Sequence, residues 1–329
     1  MKVFDLVWGN VDIKDRQILA ILRHPSMQRL RRIWISSYGY LYNLQRNSTR
    51  FEHCLGVYLL LAHFGAKQKE QVAGLIHDVS HTALSHLSTY AIQGKYSGEE
   101  FHELMQEKFI NDSGLADLLK KQNYTVDDLL HTKSFTLLEN DLPNICADRI
   151  DYALRDGLHL QILSRQQADQ IIEGLIVKDG EFMFSDENSA FLYSFNFYLL
   201  NLMFYGSAVE AHFNNDFGAL VNYAMRIGVL KEKDWFSDDV YLIGKLKKSK
   251  NAKIKKWLEK YNQKLVVYED SEHPDKIFPK KIRVVDPKVF AKGKIVRLSD
   301  VDPVYSRILN DYKERHREHS LAVRTIYKD

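Results

Sequence analysis

Apolar positions recur at helical spacing through most of the first two-thirds of the chain. Residues 15–36 carry an apolar stripe that predicts a helix broken near Pro25. Residues 191–230 are rich in aromatic side chains, which predicts one or two buried helices whose rings form core rather than a ligand-binding box. The other stretches with helical spacing are 50–65, 68–79, 99–110, 124–130 and a helix that opens at Asp141 and runs through Asp148 and Tyr152. The pattern predicts a mostly α-helical domain over residues 1–230.

The pattern changes to short alternating runs in two places. Two β-like runs within residues 174–186 are joined by Lys178-Asp179-Gly180, and the Asp-Gly pair predicts a hairpin. After about residue 230, a lysine-rich helical stretch is followed by further strand-like and helical runs. These are the helix 242–260, the strand-like runs 264–270, 280–287 and 294–300, the helix 303–320 and the strand 321–329. Residues 231–329 are therefore expected to form a small α+β appendage to the helical domain.

Composition narrows the class of protein. Apolar residues make up 45% of the 329 residues and charged residues 27%, as in an ordinary globular protein. The formal charge of +3 is small, and the lysines between Lys245 and Lys256 resemble a solvated helix face, so nucleic acid is an unlikely partner. Charges early in the N-terminus disfavour a signal peptide, and no apolar run approaches the ~20 residues of a membrane span. The expectation is a cytoplasmic protein without a membrane partner.

The two cysteines do not form a disulfide framework. Cys54 and Cys146 are too few for one, and a pair of reduced thiols is the usual state of such residues in the cytosol. Each lies close in sequence to a candidate metal ligand, His53 or Asp148. Both are nevertheless expected to be small buried hydrophobic residues rather than ligands.

The most informative motif is the adjacent pair His77-Asp78. A chain with 13 histidines can place one beside an aspartate by chance. However, His53 upstream and Asp148 downstream stand in two further segments with ligand character. Two imidazoles and two carboxylates could bind one divalent ion, such as Mn, Fe, Zn, Ni or Mg. They fit a structural zinc site less well, because such a site is usually rich in cysteine. Such an ion polarises a phosphoryl oxygen and lowers the pKa of bound water, which predicts a metal-dependent phosphohydrolase.

Helical spacing suggests which side chains accompany the ligands. His81 follows His77 by four residues and shares its face if the helix continues past Asp78. Arg50 precedes His53 by three residues, and its forked guanidinium suits a phosphate, although a surface ion pair is the alternative. His86 and His102 have two interpretations, as acid–base groups or as core histidines. Asp151 and Arg155 would lie on other helix faces than Asp148 and are interpreted as ion-pair partners.

Several motifs in order resemble the HD superfamily of phosphohydrolases, and within it the deoxynucleoside-triphosphate triphosphohydrolase branch. Asp5-Leu-Val-Trp-Gly9 is similar to the family's opening Asp-Pro-Ile-His-Gly. The other matching segments are Gln28-Arg-Leu-Arg31, Arg50-Phe-Glu-His53, residues 77–86, Phe101-His102-Glu103 and Asp148-Arg-Ile-Asp-Tyr152 with Asp156. The match covers roughly the first 230 residues. It implies an HD-domain helical bundle and, because relatives are often oligomers, a homo-oligomer.

The resemblance also implies roles for individual residues. It assigns the metal to His53, His77, Asp78 and Asp148. The catalytic residues it implies are His81, His102 and Asp148. The substrate-binding residues it implies are Arg50 and His86 at phosphate, Tyr152 and Asp156 at the sugar, and Arg149.

The chain departs from this branch where the family selects its substrate. Ile35-Ser36 replaces a Gln-Leu pair that faces the deoxyribose, and His212-Phe-Asn-Asn-Asp216 stands where cations for the distal phosphates are usual. Thr82-Ala83 replaces a Gly-Pro pair, and Thr89 replaces the usual acidic partner of His102. The residues that bind the metal and its nearest phosphate are therefore retained. The residues that select a deoxyribose and a full triphosphate are altered.

Three functions are consistent with these residues. The first is hydrolysis of nucleotides, including release of triphosphate from (deoxy)nucleoside triphosphates. The second is the same metal chemistry as a phosphomonoesterase or phosphodiesterase on another small phosphoester. The third is a catalytically silent HD-fold scaffold or nucleic-acid-binding protein. A complete set of metal ligands argues against the third, because a scaffold has no use for one.

Overall fold

The computed structural model describes residues 1–36, 48–91, 101–130, 134–262, 265–279, 283–291, 293–317 and 320–327. Most of these residues are α-helical, which confirms the predicted fold class. None of the helices in this part of the chain is both long and apolar enough to cross a membrane.

The elements of the first half are two strands and ten helices among the described residues. The strands are β1 (Lys2–Asp5) and β2 (Gly9–Asp12). The helices are α1 (Arg16–Arg23), α2 (Pro25–Arg29), α3 (Arg50–His63), α4 (Gln68–Ile76), α5 (Leu87–Ala91), α6 (Phe101–Leu104), α7 (Gln106–Asp112), α8 (Leu115–Lys121), α9 (Val126–Leu130) and α10 (Ala147–His159).

The second half mixes helices with strands. Its helices are α11 (Arg165–Gly174), α12 (Glu187–Leu200), α13 (Ala208–Arg226), α14 (Asp239–Lys248), α15 (Ala252–Glu259), α16 (Leu298–Val301) and α17 (Pro303–Arg315). Its strands are β3 (Leu175–Lys178), β4 (Glu181–Phe184), β5 (Leu265–Glu269), β6 (Lys276–Pro279), β7 (Lys288–Ala291), β8 (Lys294–Arg297) and β9 (Ser320–Tyr327).

Two predicted helices have the expected interruptions. The break near Pro25 is confirmed, because His24 is extended and Pro25 opens α2, where a missing N–H costs nothing. The aromatic stretch 191–230 forms α12 and α13, joined by a π-helical turn at Asn201–Tyr205. Of the predicted helix 99–110, residues 99 and 100 lie outside the described residues and the rest forms α6 and α7.

The helix predicted to open at Asp141 is wrong at its start. Residue 142 precedes Pro143, and a residue before proline is disfavoured in helical conformation. The N–H of Asn144 instead bonds to the carbonyl of Asp141 in a turn, and α10 begins only at Ala147. Asp148 therefore lies in the first turn of its helix rather than in the middle.

The predicted hairpin is confirmed, and it belongs to a larger sheet. Strands β3 and β4 pair around Asp179 and Gly180, whose φ angles of 54° and 76° are those of a tight hairpin turn. Strand β4 also pairs in parallel with β7 at Phe184 and Val289, so the sheet has the order β3-β4-β7-β8. This sheet joins segments on both sides of residue 230. The domain boundary at that position stays a prediction.

A second sheet in the C-terminal region has the order β5-β9-β6 with antiparallel pairing. The strand predicted over residues 280–287 is wrong for the part that the structure describes, residues 283–287. Pro287 has no N–H for a ladder, and the carbonyl of Val285 accepts from the Tyr305 hydroxyl instead. The neighbouring strand β7 starts at Lys288.

Two hydrophobic cores frame the segment that contains His77-Asp78. Helix α3 is at the centre of the larger core and packs against α4 and α10. The smaller core surrounds Trp235 and includes side chains of α5, α13, α14 and α15. Residues 77–86 run from the first core, which contains Val79, to the second, which contains Ala83. The segment is therefore held from two sides.

Candidate metal centre

The four predicted metal ligands converge on one point. His53 Nε2 lies 2.9 Å from Asp148 Oδ1, and His77 Nε2 lies 3.4 Å from the same oxygen. Asp78 completes the group, with Oδ1 3.6 Å from His77 Nε2 and Oδ2 3.9 Å from His53 Nε2. Helix α3, the end of α4 and the first turn of α10 each deliver part of this set.

The orientation of both imidazoles fits a metal ion. His53 Nδ1 bonds to Asp151 Oδ2 at 2.8 Å, and His77 Nδ1 bonds to the carbonyl of Gly74 at 2.7 Å. These contacts turn both Nε2 atoms toward the carboxylates, as supporting contacts do at histidine metal sites. Nε2 of His77 is buried, and Asp148 is the acceptor that it faces, at 3.4 Å, among the residues that the structure describes. Two imidazole nitrogens and two carboxylates are a donor set for one divalent ion.

The electrostatics of the centre favour a cation. Burial alone would raise the pKa of Asp148, but hydrogen bonds and charges from His53 and His77 hold it well below its usual range. Burial opposes ionisation of Asp78 too, yet His77 and Arg50 lower the pKa of that carboxyl. Both aspartates are therefore ionised at neutral pH and supply the negative charge that a divalent ion needs.

Arg50 is part of this centre. Its Nη1 lies 2.5 Å from Asp78 Oδ2, its Nη2 lies 3.0 Å from His86 Nε2, and its Nε donates to Ser85 Oγ at 3.2 Å. The side chain is buried, so the alternative of a surface ion pair is wrong. The guanidinium joins the metal ligands to the histidines that follow them.

Three histidines form a second group beside Asp78. His81 Nε2 lies 3.5 Å from Asp78 Oδ1, and the His81 ring stacks on His102 with centroids 3.7 Å apart. The exposed His86 meets His81 edge-on at 5.1 Å. Burial and the nearby Arg50 charge lower the pKa of His81 well below its usual range, so His81 is neutral at neutral pH.

A shared helix face for His77 and His81 was predicted on the condition that the helix continues past Asp78. The helix ends before that residue, so the two histidines do not share a helix face. Helix α4 ends at Ile76. The carbonyls of Val79 and His81 accept hydrogen bonds from Arg29 Nη2 at 2.9 and 2.7 Å instead of from a following turn. A side chain from α2 thus replaces the helical hydrogen bonds and turns the chain toward His86.

Asp239 holds the same loop from the C-terminal side. Its Oδ1 accepts from the N–H of Leu84 at 2.6 Å and its Oδ2 from the N–H of Trp34 at 3.0 Å. Leu84 and Ser85 have φ angles of 62° and 49°, which non-glycine residues adopt only when their surroundings hold them there. Arg29 lies within the motif Gln28-Arg-Leu-Arg31, but the sequence predicts no role for it, and nothing in the sequence around Asp239 points to this contact.

The predicted substrate residues of α10 have different surroundings. Arg149 Nη1 donates to the carbonyls of Asn140 and Asn144 at 3.0 and 2.9 Å, so this side chain braces the preceding turn. Asp156 Oδ2 accepts from the Tyr205 hydroxyl at 2.6 Å, and the Tyr152 and Tyr205 rings meet edge-on at 5.7 Å. Tyr205 was missed because it is one of many aromatic residues in its stretch. The substrate roles stay predictions.

The stretch His212–Asp216 is bound into the structure. Asn214 donates to Glu210 Oε1 at 3.0 Å. Asp216 Oδ2 accepts from Trp257 Nε1 at 2.8 Å and from the Tyr261 hydroxyl at 2.6 Å, which ties α13 to α15. The polar side chains at 214 and 216 therefore have partners within the protein.

The chain is similar to several known proteins. No family model matches the chain. YdhJ of Bacillus subtilis, an uncharacterized protein, is 32% identical over 303 residues and 92% of each chain is covered. The metal-dependent phosphohydrolase Cns2 of Cordyceps militaris is 30% identical over 171 residues, 52% of this chain and 49% of Cns2. The deoxynucleoside triphosphate triphosphohydrolase SAMHD1 of Bos taurus is 32% identical over 142 residues, 36% of this chain and 24% of SAMHD1.

Two solved structures share the fold. A hypothetical protein from Aquifex aeolicus superposes with a TM-score of 0.72 at 18% identity, covering 100% of this chain and 96% of that one. A phosphohydrolase from Bacteroides thetaiotaomicron superposes with a TM-score of 0.66 at 17% identity, covering 92% and 94%. With the His53, His77, Asp78 and Asp148 cluster and the relatives above, the chain belongs to the HD superfamily of metal-dependent phosphohydrolases, in one family with YdhJ.

Proposed function

We propose that the protein hydrolyses a phosphate ester bond of a nucleotide. The observation that carries this proposal is the convergence of His53, His77, Asp78 and Asp148 beside the buried guanidinium of Arg50. A divalent ion held by the four ligands would supply Lewis acidity and an activated water at neutral pH. Mn, Fe, Zn, Ni and Mg are all compatible with such a donor set.

Arg50 is suited to hold the phosphate next to the ligands. Its guanidinium faces one carboxylate, Asp78, and the ring of His86. A buried arginine favours a dense, planar anion, and a phosphoryl group matches the geometry of its fork. The exposed His86 marks the side from which a substrate reaches the guanidinium.

The stacked histidines are suited to hydrogen-bond the reacting phosphate. A neutral His81 can donate a proton from one ring nitrogen and accept one at the other. Its Nδ1 is buried and has no hydrogen-bond partner among the described residues, while its Nε2 faces Asp78. Together with His102, His81 would hold or transfer a proton on the side of the centre away from Asp148.

The nucleoside is proposed to lie toward Asp156. Burial raises the pKa of this carboxyl to about 6, and the Tyr205 hydroxyl already donates to it. The partly buried carboxylate of Asp156 offers an acceptor for a sugar hydroxyl, and the neighbouring Tyr152 offers a ring for stacking. SAMHD1, a deoxynucleoside triphosphate triphosphohydrolase, supports a nucleoside triphosphate as one substrate to test.

A different small phosphoester is the second candidate. The observation that favours it lies in the stretch His212–Asp216, where Asn214 bonds to Glu210 and Asp216 accepts from Trp257 and Tyr261. These side chains add no cation for a second or third phosphate. A phosphomonoester or phosphodiester needs only the charges close to the metal.

The test is a substrate screen on the purified, metal-analysed protein. Nucleoside mono-, di- and triphosphates, cyclic nucleotides and small phosphomonoesters would each be incubated with Mn²⁺, and the products identified by mass spectrometry. Release of phosphate, pyrophosphate or triphosphate from nucleotides by the wild type but not by Asp148→Asn is expected. Turnover of non-nucleotide esters alone would favour the second candidate, and no turnover of any ester would overturn both.

A further inference from the structure

Behind His53, a row of buried charged side chains runs to the N-terminal hairpin. Asp151 Oδ2 accepts from His53 Nδ1 at 2.8 Å. Arg155 donates to both oxygens of Asp151, from Nε at 3.0 Å and from Nη2 at 2.9 Å. Nη2 of Arg155 also donates to Asp5 Oδ2 at 3.0 Å. Four side chains from the hairpin, α3 and α10 thus form one continuous row.

The row is shielded from water along its whole length. The relative exposures are 2% for His53, 2% for Asp151, 1% for Arg155 and 3% for Asp5. Buried charged side chains keep a defined geometry only while every partner is present, because a buried charge without its partner strongly destabilises the folded protein. Gly56 makes room for the row: a Cβ there would lie 1.9 Å from Asp151 Oδ1.

Asp5 connects the row to the turn between β1 and β2. Its Oδ1 accepts from the N–H groups of Val7 and Trp8 at 2.8 and 3.0 Å. Its Oδ2 remains for Arg155. One carboxylate therefore closes the turn and completes the shell around the arginine. The contact between Asp5 and Arg155 joins residues that are 150 positions apart, so local sequence patterns do not reveal it.

We propose that Asp5 and Arg155 are positioning residues of the metal centre, which orient His53 through Asp151. This inference rests on the metal centre of the proposed function. Asp5 holds Arg155, and Arg155 fixes both oxygens of Asp151. Asp151 then keeps the proton of His53 on Nδ1 and leaves the lone pair of Nε2 facing Asp148. A supporting contact of this kind commonly contributes 10- to 100-fold to metal affinity.

The experiment compares two carboxylates of the same hairpin. Asp5→Asn removes the charge that meets Arg155. Asp12→Asn removes an exposed one that pairs only with the N-terminal amine at 3.3 Å among the described contacts. Each full-length protein is stripped with a chelator and titrated with Co²⁺, which reports affinity and ligand geometry through its visible absorption. The same titrations are repeated with His53→Ala present.

Asp5→Asn is expected to weaken Co²⁺ binding by roughly 10- to 100-fold and to alter the absorption band, whereas Asp12→Asn stays within about twofold of wild type. In the His53→Ala background, Asp5→Asn is expected to change affinity by less than about threefold, because the two act through one ligand. Equal weakening in both backgrounds, or unchanged affinity, would overturn the inference.

Arg155→Lys provides a second route, since it keeps a buried cation but loses the paired contact with Asp151. It is expected to weaken Co²⁺ binding in the same way. If both variants lose native circular dichroism, the row serves stability alone and the inference is wrong. A wild type without a Co²⁺ site would overturn the metal centre as well. Normal Co²⁺ binding without ester hydrolysis would overturn only the proposed function.

Discussion

Nη1 of Arg50 lies 2.5 Å from Oδ2 of Asp78, and the two side chains are only 7% and 10% exposed. A candidate phosphate-binding cation and a candidate metal ligand are thus in direct contact. The contact keeps Asp78 ionised and places the guanidinium within reach of whatever the metal binds. Removing Asp78 is expected to affect metal binding, whereas removing Arg50 is expected to affect phosphate binding, so the two effects can be measured separately.

Replacing His77 or Asp78 by alanine is expected to remove the metal and abolish hydrolysis while the fold survives. Both side chains supply donor atoms at the point where three segments meet, and the helical core does not depend on them. Elemental analysis and circular dichroism measure the two effects. The control is His273→Ala, in an exposed loop, which should retain both metal and activity. Full metal occupancy in His77→Ala would contradict the ligand assignment.

Arg50→Ala is expected to lower kcat/KM by roughly 30- to 1000-fold, or about 2 to 4 kcal/mol of transition-state binding, while metal content is retained. The loss arises because the paired contact with phosphate disappears. Steady-state kinetics and elemental analysis give the two readouts. Arg317→Ala, at a side chain that is 80% exposed, is the control and should behave as wild type. Unchanged kinetics would mean that Arg50 only pairs with Asp78.

Gly56→Ala is expected to destabilise the protein by about 3 kcal/mol or more, because the new Cβ would lie 1.9 Å from Asp151 Oδ1 and 2.1 Å from Arg155 Nη2. Gly244→Ala is the matched control, since nothing lies within 4 Å of a Cβ there. Alanine in that helix should be neutral or stabilising by up to about 1 kcal/mol. Urea unfolding of both variants measures the difference. Equal stabilities would show that α3 and α10 can separate freely.

Stability is expected to fall as pH rises through the range where Asp239 ionises. Burial raises the pKa of this carboxyl to about 7 in the folded state, above its usual value, so the folded protein binds the proton more tightly. Stability is therefore greatest below about pH 4 and is lost progressively up to about pH 7, by an amount on the order of 4 kcal/mol. Unfolding of wild type and Asp239→Asn at several pH values measures it.

Asp239→Asn should be less stable at pH 5, since the amide cannot accept from both Leu84 and Trp34 through oxygen. Its stability should also change less between pH 5 and pH 8, because asparagine does not ionise. Parallel pH profiles for the two proteins would assign the dependence to other buried acids, among them Glu210, whose pKa burial raises to about 7.

Discrimination between ribose and deoxyribose is expected to be weak, with a modest benefit from the second and third phosphates. Ile35-Ser36 stands where the resembling branch has a Gln-Leu pair, so the glutamine amide that a wrong sugar would leave unpaired is missing, and Asn214 and Asp216 add no distal cations. Competition between matched ribo- and deoxyribonucleotides, as mono- and triphosphates, measures both effects. A preference of more than about a hundredfold for deoxynucleoside triphosphates, ~2.7 kcal/mol, would contradict this expectation.

The convergence of His53, His77, Asp78 and Asp148 could be predicted because their residue types are chemically distinctive and their motifs occur in a characteristic order. The contacts of the supporting residues could not. Asp239 lies 155 positions from Leu84, and Asp5 lies 150 from Arg155, so neither the motif that begins at Asp5 nor the predicted ion pairing of Arg155 shows that these side chains meet. Tyr205 is one of 18 tyrosines, and only the fold places it on Asp156. The helix starts at Ala147 rather than at Asp141 because Pro143 disfavours a helical conformation at the residue before it, and this restriction outweighs the local helical spacing.

The contact between Leu84 and Asp239 has a consequence for the order of folding. Helices α3 and α4 contact each other through residues close in sequence and can associate early. The turn through Leu84 acquires its partner only after another 155 residues have been synthesised. During synthesis the ligands His77 and Asp78 therefore precede the part of the chain that shapes the neighbouring histidine turn. The histidine turn can therefore be held by Asp239 only after the C-terminal third has joined the helical core.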